Sequence, residues 1–163
     1  MANVQDVARF FIHLAQKQEE AQMGDLATNM RVNKLLYFAQ GWHLARHGKP
    51  LFSAPLYAWQ YGPVVPEVYR EYNRYGGQGI TCIGPNDDAF TPEEYDLLLD
   101  VAREYDGLST AALVTITHKK NAPWSITEQN REIDINAIRD YFLAQQPIAS
   151  FDDVLACYPV EEA

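Results

Sequence analysis

The sequence predicts a mainly α-helical fold: a single compact domain of about six helices with a small β-hairpin or extended element near residues 51–61. Apolar residues recur at helical spacing in several segments, and a capping residue precedes most of these segments. Between residues 51 and 61 the helical period gives way to alternation, which is typical of short strands. The chain has 163 residues and no internal repeat or long linker, so residues 1–163 are expected to form one domain.

The first two helices are predicted from their caps and their apolar stripes. Asn3 caps a helix that runs to about residue 20, and Thr28 or Asn29 caps a second helix from about Met30 to Arg46. The stripe of the second helix consists of Val32, Leu35, Leu36, Ala39 and Trp42. Gly41 lies inside this helix, where glycine costs about 1 kcal/mol relative to alanine, and it allows a close backbone approach.

The β element is predicted to follow the second helix. Its alternating residues are Leu56, Ala58 and Gln60 on one face and Tyr57, Trp59 and Tyr61 on the other. Pro55 confines a strand here to the edge of a sheet, because proline has no N–H to donate to a ladder. Pro63 lies near the start of a third helix, predicted from about Val64 to Tyr75, which Gly76 ends.

Three further helices are predicted in the second half of the chain. Their caps are Thr91, Ser109 and Asp134, and they end near Gly107, His118 and Gln146. Between the last two of these helices, Pro123 and Trp124 open a short helical turn. From Ile148 onward the sequence has no clear pattern.

The net charge of −9 is distributed unevenly. Residues 1–81 hold 8 Lys/Arg and 6 Asp/Glu, a charge of +2, whereas residues 82–163 hold 5 and 16, a charge of −11. Proteins that bind nucleic acids usually carry the opposite sign, because their affinity comes from neutralising phosphates. Direct nucleic-acid binding is therefore not expected. The acidic half has two interpretations: a solvated face that keeps the protein soluble, or a surface that steers a basic partner.

The N-terminal residues do not form a signal peptide, because they lack a basic region followed by a long apolar stretch. No segment is apolar enough to span a membrane. Both observations predict a cytoplasmic protein. Cys82 and Cys157 are far apart in sequence and are expected to be two separate thiols, because disulfides are rare in that compartment.

No catalytic, cofactor or metal site is predicted. His43 and His47 have the spacing of metal ligands on a helix, but the residues between them lack the glutamate of the H-E-x-x-H motif, and Arg46 adds positive charge. The two histidines are therefore expected to lie partly exposed on the surface. The run Gly76-Gly77-Gln78-Gly79 lacks the Gly-Lys-Ser/Thr of a phosphate-binding loop and is interpreted as a flexible connector.

His118 has three interpretations. It is a structural residue that pins the loop at Pro123 and Trp124, a contact in a partner groove, or a base in a pocket. No recognisable motif places a serine or cysteine nucleophile beside it, so the sequence favours a structural role.

An aromatic-rich stretch supplies the candidate partner-binding surface. Residues 34–76 contain ten Phe, Trp and Tyr residues, and tyrosine and arginine often anchor interfaces. The predicted surface consists of Tyr61, Gly62, Pro63, Tyr69, Arg70 and Arg74. Arg70 and Arg74 are expected to share one face of the third helix. Two alternatives remain open: a purely structural turn at Tyr61-Gly62-Pro63, and binding through the acidic helix from Pro92 to Asp106.

Several of these segments, taken in order, resemble the Panacea domain, the domain of SocA-like antitoxins and of phage-associated GepA-type proteins. The matching segments are KLLYFAQG at 34–41, GKPLF at 48–52, AWQYGPVVP at 58–66 with Tyr69, Leu108-Ser109, Thr117-His118 and Pro123-Trp124. The resemblance spans roughly residues 5–145. The residues that we interpret as its structural motif are Lys34, Tyr37, Trp59, His118, Pro123 and Trp124.

The resemblance implies a cytoplasmic, mainly helical protein that is not an enzyme and has no cofactor. Such proteins neutralise a cognate protein toxin by direct binding, and some deliver the toxin to a ClpXP-type protease. Two alternatives stay open: a protease adaptor or phage regulatory protein without a neighbouring toxin, and a hydrolase or metal enzyme built around His43, His47 or His118. The sequence does not fix the toxin or the oligomeric state.

Overall fold

A computed structural model describes residues 1–157 of the protein, and most of the regular structure in these residues is α-helical. Its helices are α1 (Val4–Glu20), α2 (Asn29–His47), α3 (Pro66–Glu71), α4 (Pro92–Tyr105), α5 (Thr110–Thr117), α6 (Ile135–Leu143) and α7 (Phe151–Ala156). The strands β1 (Tyr57–Trp59) and β2 (Gly62–Val64) form an antiparallel hairpin. The predicted fold class is thus confirmed. None of the helices in residues 1–157 is long and apolar enough to cross a membrane.

Most helices begin where the sequence predicts, because their caps act locally. Asn3 Oδ1 accepts a hydrogen bond from the Gln5 amide at the start of α1, and the hydroxyl of Thr28 accepts one from the Arg31 amide. Ser109 and Asp134 cap α5 and α6 in the same way. At the start of α4, Thr91 and Glu94 form a reciprocal capping box that pairs two otherwise unsatisfied amides.

The central element is α2, which packs against α1, α4, α5, α6 and β2. The predicted single apolar stripe understates its burial, because 14 of its 19 residues are buried. At Gly41 the ring of Phe142 from α6 lies against the backbone of α2 and leaves no room for a Cβ. The glycine thus permits a close approach, but of a side-chain ring and not of another backbone.

The hairpin and the third helix differ from the prediction. The β element is shifted towards the C-terminus: β2 contains Gly62 and Pro63, and Pro63 pairs with Ala58 instead of starting a helix. Helix α3 begins at Pro66 and ends at Glu71, and a separate 3-10 turn follows at Asn73–Tyr75. The predicted continuous helix over 64–75 is wrong. Residues 62–64 pair with β1, so the helix begins only at Pro66, and the backbone leaves helical geometry at Tyr72, where φ is −107°.

Two smaller differences lie further along the chain. The Pro123-Trp124 segment forms turns, with no assigned helix. Helix α7 was not predicted, although Ser150 and Asp153 form a capping box at its start that was readable from the sequence. Cys82 and Cys157 are both free thiols, as expected.

Candidate functional site

Segments that are far apart in sequence meet around the side chain of Lys34, in the first half of α2. Gly62 of β2 lies directly against it: a Cβ on Gly62 would be 2.6 Å from Lys34 Cε and 3.1 Å from Thr117 Oγ1. The φ angle of Gly62 is +123°, a value that L-residues rarely adopt. Both the conformation and the lack of space therefore require glycine at the hairpin turn, where Lys34 and the end of α5 converge.

His118 and Trp124 form a second layer behind this contact. Their rings stack with centroids 3.7 Å apart and an angle of 8° between the planes. Trp124 Nε1 donates a hydrogen bond of 2.7 Å to the carbonyl oxygen of Trp59, which joins the Pro-Trp loop to β1. This geometry favours the structural interpretation of His118. Burial and nearby Lys34 lower the pKa of His118, against an opposing effect of the Tyr61 backbone, so the imidazole is neutral at pH 7.

Two asparagines near the start of α2 hold the hairpin and α3 in place. Asn33 Oδ1 accepts a hydrogen bond of 3.0 Å from the Val65 amide, and its Nδ2 donates to both oxygens of Asn29. Asn29 Nδ2 in turn donates to the Tyr69 carbonyl at 2.9 Å. This role was not predicted from the sequence, because asparagine on a helix normally faces water. The available signal was the position of Asn29 at the start of an apolar helix and of Asn33 inside it.

Above Lys34 lies an open cavity of about 700 Å³, which we call the Lys34 cavity. It is lined by Thr28, Asn29, Met30, Asn33, Lys34, Trp59, Gln60, Tyr61, Val64, Tyr69, Gly76, Gly77, Thr110, Gln129 and Asn130. Tyr61 is 59% exposed and Tyr69 36% exposed, and Met30 is exposed beside them. The ring of Trp59 meets that of Tyr69 edge-to-face at 5.1 Å, which fixes one wall. A volume of this size is typical of ligand pockets.

Lys34 is the one charged residue among those that line the cavity. Its side chain is 1% exposed, and within residues 1–157 its ammonium has no ion-pair partner. Burial lowers the pKa of Lys34 to about 8. The cation therefore persists at pH 7, in a place that excludes most of the water that would normally solvate it.

The structure divides the predicted partner-binding surface. Tyr61 and Tyr69 line the Lys34 cavity together, whereas Gly62 and Pro63 are buried beneath it and offer no surface. Arg70 faces a neighbouring cavity on the other side of Trp59. The prediction that Arg70 and Arg74 share a helix face is wrong, because α3 ends at Glu71.

Arg74 instead lies over the ring of Tyr75, with its guanidinium carbon 5.0 Å from the ring centroid, and donates a hydrogen bond to the Glu71 carbonyl. Its guanidinium is therefore occupied locally. Within the predicted surface, Tyr61 and Tyr69 are the exposed residues that line the Lys34 cavity together.

The remaining motif residues lie in the core. Pro123 is buried, and Tyr37 packs against Phe38 and Phe142 with its hydroxyl buried and without a hydrogen-bond partner in the described structure. Burial raises the pKa of Tyr37. These two residues support the fold and do not reach the cavity.

Of the two histidines of α2, His47 is partly exposed as expected, whereas His43 is not. His43 is buried, not partly exposed, because α2 is enclosed on this side too, and its Nδ1 lies 2.6 Å from the Lys49 carbonyl oxygen. The His43 and His47 rings are 4.8 Å apart. Within residues 1–157 no group of three or more His, Cys, Asp or Glu residues is placed to hold a metal ion.

Comparison with known proteins identifies related sequences. Residues 32–125, more than half of the chain, match the family described as "Antitoxin SocA-like, Panacea domain". The chain is 30% identical over 110 residues to a protein named Antitoxin SocA from Caulobacter vibrioides (strain NA1000 / CB15N). That match covers 61% of this chain and 58% of the relative, so the chain spans less than two thirds of the relative's length. No solved structure matches the chain.

Proposed function

This chain belongs to the SocA-like antitoxin family with a Panacea domain, and we propose that it neutralises a toxin encoded beside its own gene by binding that toxin directly. The family supports an antitoxin role and a regulatory, non-enzymatic protein in general terms. The toxin as partner, the direct contact and the contact surface are our proposals. The observation that carries them is the exposed aromatic pair Tyr61 and Tyr69 on the wall of the Lys34 cavity.

Several features suit this aromatic pair to protein binding. Tyrosine supplies a large contact area with few rotatable bonds, so it loses little conformational entropy in an interface. Tyr61 lies in the hairpin turn, which Gly62 and Lys34 hold in place, and Tyr69 is fixed through the Asn29 hydrogen bond to its carbonyl. A surface that is ordered before binding gains affinity, because the cost of ordering it has already been met during folding.

The acidic helix α4 is the rival surface, and the two surfaces predict different kinetics. Anchor residues in an interface mainly control the dissociation rate, whereas exposed charges mainly control the association rate and its dependence on salt. We expect α4 to steer a basic toxin and the Tyr61–Tyr69 pair to hold it.

The test is neutralisation of the protein encoded by the adjacent open reading frame. Induced alone, that protein should arrest growth, and co-expression of the wild-type chain should restore it. The double variant Tyr61→Ala/Tyr69→Ala should lose rescue and dissociate from the purified toxin at least about tenfold faster, because anchor truncation typically costs 2 kcal/mol or more. The single variant Tyr61→Ala should unfold close to the wild type, because Tyr61 is 59% exposed, whereas Tyr69→Ala also loses the packing of Tyr69 on Trp59.

Glu93→Gln/Asp96→Asn is the matched control on the exposed face of α4. Glu94 is left intact because its carboxylate closes the capping box. This control should slow association at low salt and leave dissociation unchanged. If the tyrosine variant binds and rescues like the wild type while the acidic variant fails, the contact surface is α4 and our assignment is wrong.

Measuring the toxin's half-life in the same cells separates blocking from delivery. Direct neutralisation leaves the amount of toxin unchanged or higher, because a bound protein is protected. A toxin that disappears faster in the presence of this chain, and only in cells that contain a ClpXP-type protease, would identify delivery to the protease instead.

A further inference from the structure

We propose that the Lys34 cavity binds a carboxylate group of the toxin, from an Asp or Glu side chain or from the chain terminus, and that the ammonium of Lys34 pairs with it. This inference rests on the proposed function, because it names the chemistry by which the toxin would be recognised. It adds a charged contact at the bottom of a cavity whose exposed wall is aromatic.

The cavity contains the buried positive charge of Lys34. A buried charge is normally paired, because removing it from water costs several kcal/mol that a counter-ion must offset. Lys34 is 1% exposed, yet none of the residues that line the cavity carries a negative charge. The only resolved influence on the pKa of Lys34 is burial, which lowers it to about 8, with no opposing carboxylate. A protein with a net charge of −9 thus keeps a cavity whose one charge is positive.

Packing holds the side chain of Lys34 in place beside the cavity. Its Cε atom lies against the backbone of Gly62, and Thr117 Oγ1 lies close to the same point. Thr117 Oγ1 itself donates a hydrogen bond of 2.8 Å to the Val114 carbonyl oxygen. The stem of Lys34 is therefore fixed by packing while its charged end has protein on one side and the cavity on the other.

The rest of the cavity lining combines aromatic rings with side-chain amides. Trp59, Tyr61 and Tyr69 present rings, and Asn33, Gln129 and Asn130 present amides. Rings suit an apolar stem, and amides donate hydrogen bonds to a carboxylate oxygen. A carboxylate carried on an apolar or aromatic stem therefore matches the rings, the amides and the ammonium of Lys34.

The first experiment uses two probes of the same shape and different charge, 3-phenylpropionate and 3-phenylpropionamide. Binding to the whole chain is followed by NMR titration at pH 7. The acid should bind at least about tenfold more tightly than the amide, the effect expected of a charge-assisted hydrogen bond. In Lys34→Met, which keeps the stem and removes the charge, this preference should vanish.

Lys17→Met is the matched control, because it also removes one positive charge but from an exposed position on α1. It should retain the full preference for the acid. Equal binding of acid and amide to the wild type, no binding of either, or an unchanged preference in Lys34→Met would each overturn the proposal.

A pH titration of the wild type is a second measurement that needs no variant. Above about pH 8 the free protein loses the Lys34 proton, so the affinity for the acid should fall as the pH rises from 7 to 9. The titratable groups close to Lys34 are His118 behind it and Tyr61 and Tyr69 on the cavity wall. Titration of these groups would affect the binding of acid and amide alike, whereas deprotonation of Lys34 should weaken only the acid. The affinity for the amide should therefore not change with pH, and parallel pH profiles for acid and amide would contradict the proposal.

The final arm uses the toxin from the adjacent open reading frame. When the toxin is bound, 3-phenylpropionate should no longer bind, because the cavity is filled. Acid binding that is unchanged in the complex overturns the assignment of the carboxylate to the toxin. Failure of the proposed function itself is recognised separately, since the wild-type chain would then not bind the toxin or restore growth.

Discussion

The two halves of α2 treat buried charge in opposite ways. Near the start of the helix, Lys34 is buried without an ion-pair partner in the described structure and borders an open cavity. Near its end, the buried carboxylate of Asp100 from α4 is paired twice, with Arg46 at 2.6 Å and with Arg103 at 2.5 Å. Both arginines are partly exposed, so the charge of Asp100 is paired within the protein at the edge of the core.

The difference separates a structural charge from one that is available to a ligand. Asp100 has both carboxylate oxygens occupied, and its ion pair with Arg46 ties α4 to α2. Within residues 1–157, Lys34 has no such partner, and no ion pair compensates for its burial there. A buried charge that the fold has already paired stabilises the fold, whereas an unpaired one lowers stability until a group from outside arrives.

The largest effect is expected at the paired end. Asp100→Ala leaves two arginines without their carboxylate and should lower the free energy of unfolding by about 3 kcal/mol, the lower end of the range for broken buried pairs because both arginines can turn to water. Urea denaturation at pH 7 measures this. Asp96→Ala, exposed on the same helix, should cost less than about 0.5 kcal/mol. Equal losses in the two variants would mean that the Asp100 pairing contributes nothing.

At the unpaired end, near Lys34, the free energy of unfolding should depend on pH. Because the pKa of Lys34 is about 8 in the folded protein and its ordinary value is 10.5, the unfolded chain binds more protons between these values, and stability rises with pH across that window. At about 1.4 kcal/mol per pKa unit, the contribution approaches about 3 kcal/mol. Lys34→Met should be more stable than the wild type at pH 7, and this advantage should disappear towards pH 10.5. Urea melts of both proteins at matched pH give the difference, in which the other titrating groups cancel; a difference that stays constant from pH 7 to 10.5 would contradict the buried, unpaired cation.

A smaller effect tests the contact between Lys34 and the hairpin. Gly62→Ala should destabilise the protein by about 2 kcal/mol, since it combines backbone strain with a clash against Lys34 Cε. Gly48→Ala is the matched control, because its φ is +71° but nothing lies within 4 Å of the added Cβ, so it should cost only about 1 kcal/mol. Thermal melts of both variants make the comparison. If Gly62→Ala were the milder of the two, the close approach of Lys34 would be wrong.

Local signals predicted most of the helices. Thr91, Ser109 and Asp134 begin three helices at the predicted positions because a capping side chain bonds to an amide two or three residues ahead, without help from the rest of the fold. The hairpin and α3 were predicted less well. Pro63 was interpreted as a helix start, but Pro66, three residues later, satisfies the same rule and occupies the first turn of α3.

The candidate site was predicted in part. The sequence indicated the exposed tyrosines and a structural His118, whose stack on Trp124 is consistent with that interpretation. It did not indicate the cavity, because the residues that line it come from α2, the hairpin, α3, the loop that follows it, α5 and the segment before α6. Arg70 and Arg74 were misplaced because the rule for residues four apart holds only while the helix continues.

The fold class, most helix starts and the aromatic character of the residue 34–76 region follow from the sequence alone, since they depend on spacing and on contacts between near neighbours. The burial of α2 nearly all round, with Asn33, Lys34, Gln40 and His43 inside, depends instead on how distant segments pack around it. A polar side chain faces inward only if distant backbone or a cavity meets it: Asn33 finds the Val65 amide, Gln40 finds the Leu51 amide and the Phe52 carbonyl, and His43 finds the Lys49 carbonyl. Among residues 1–157, Lys34 finds no such partner and borders the open cavity. The packing of the hairpin and α5 around α2 fixes these surroundings, and periodicity along one segment carries no information about that packing.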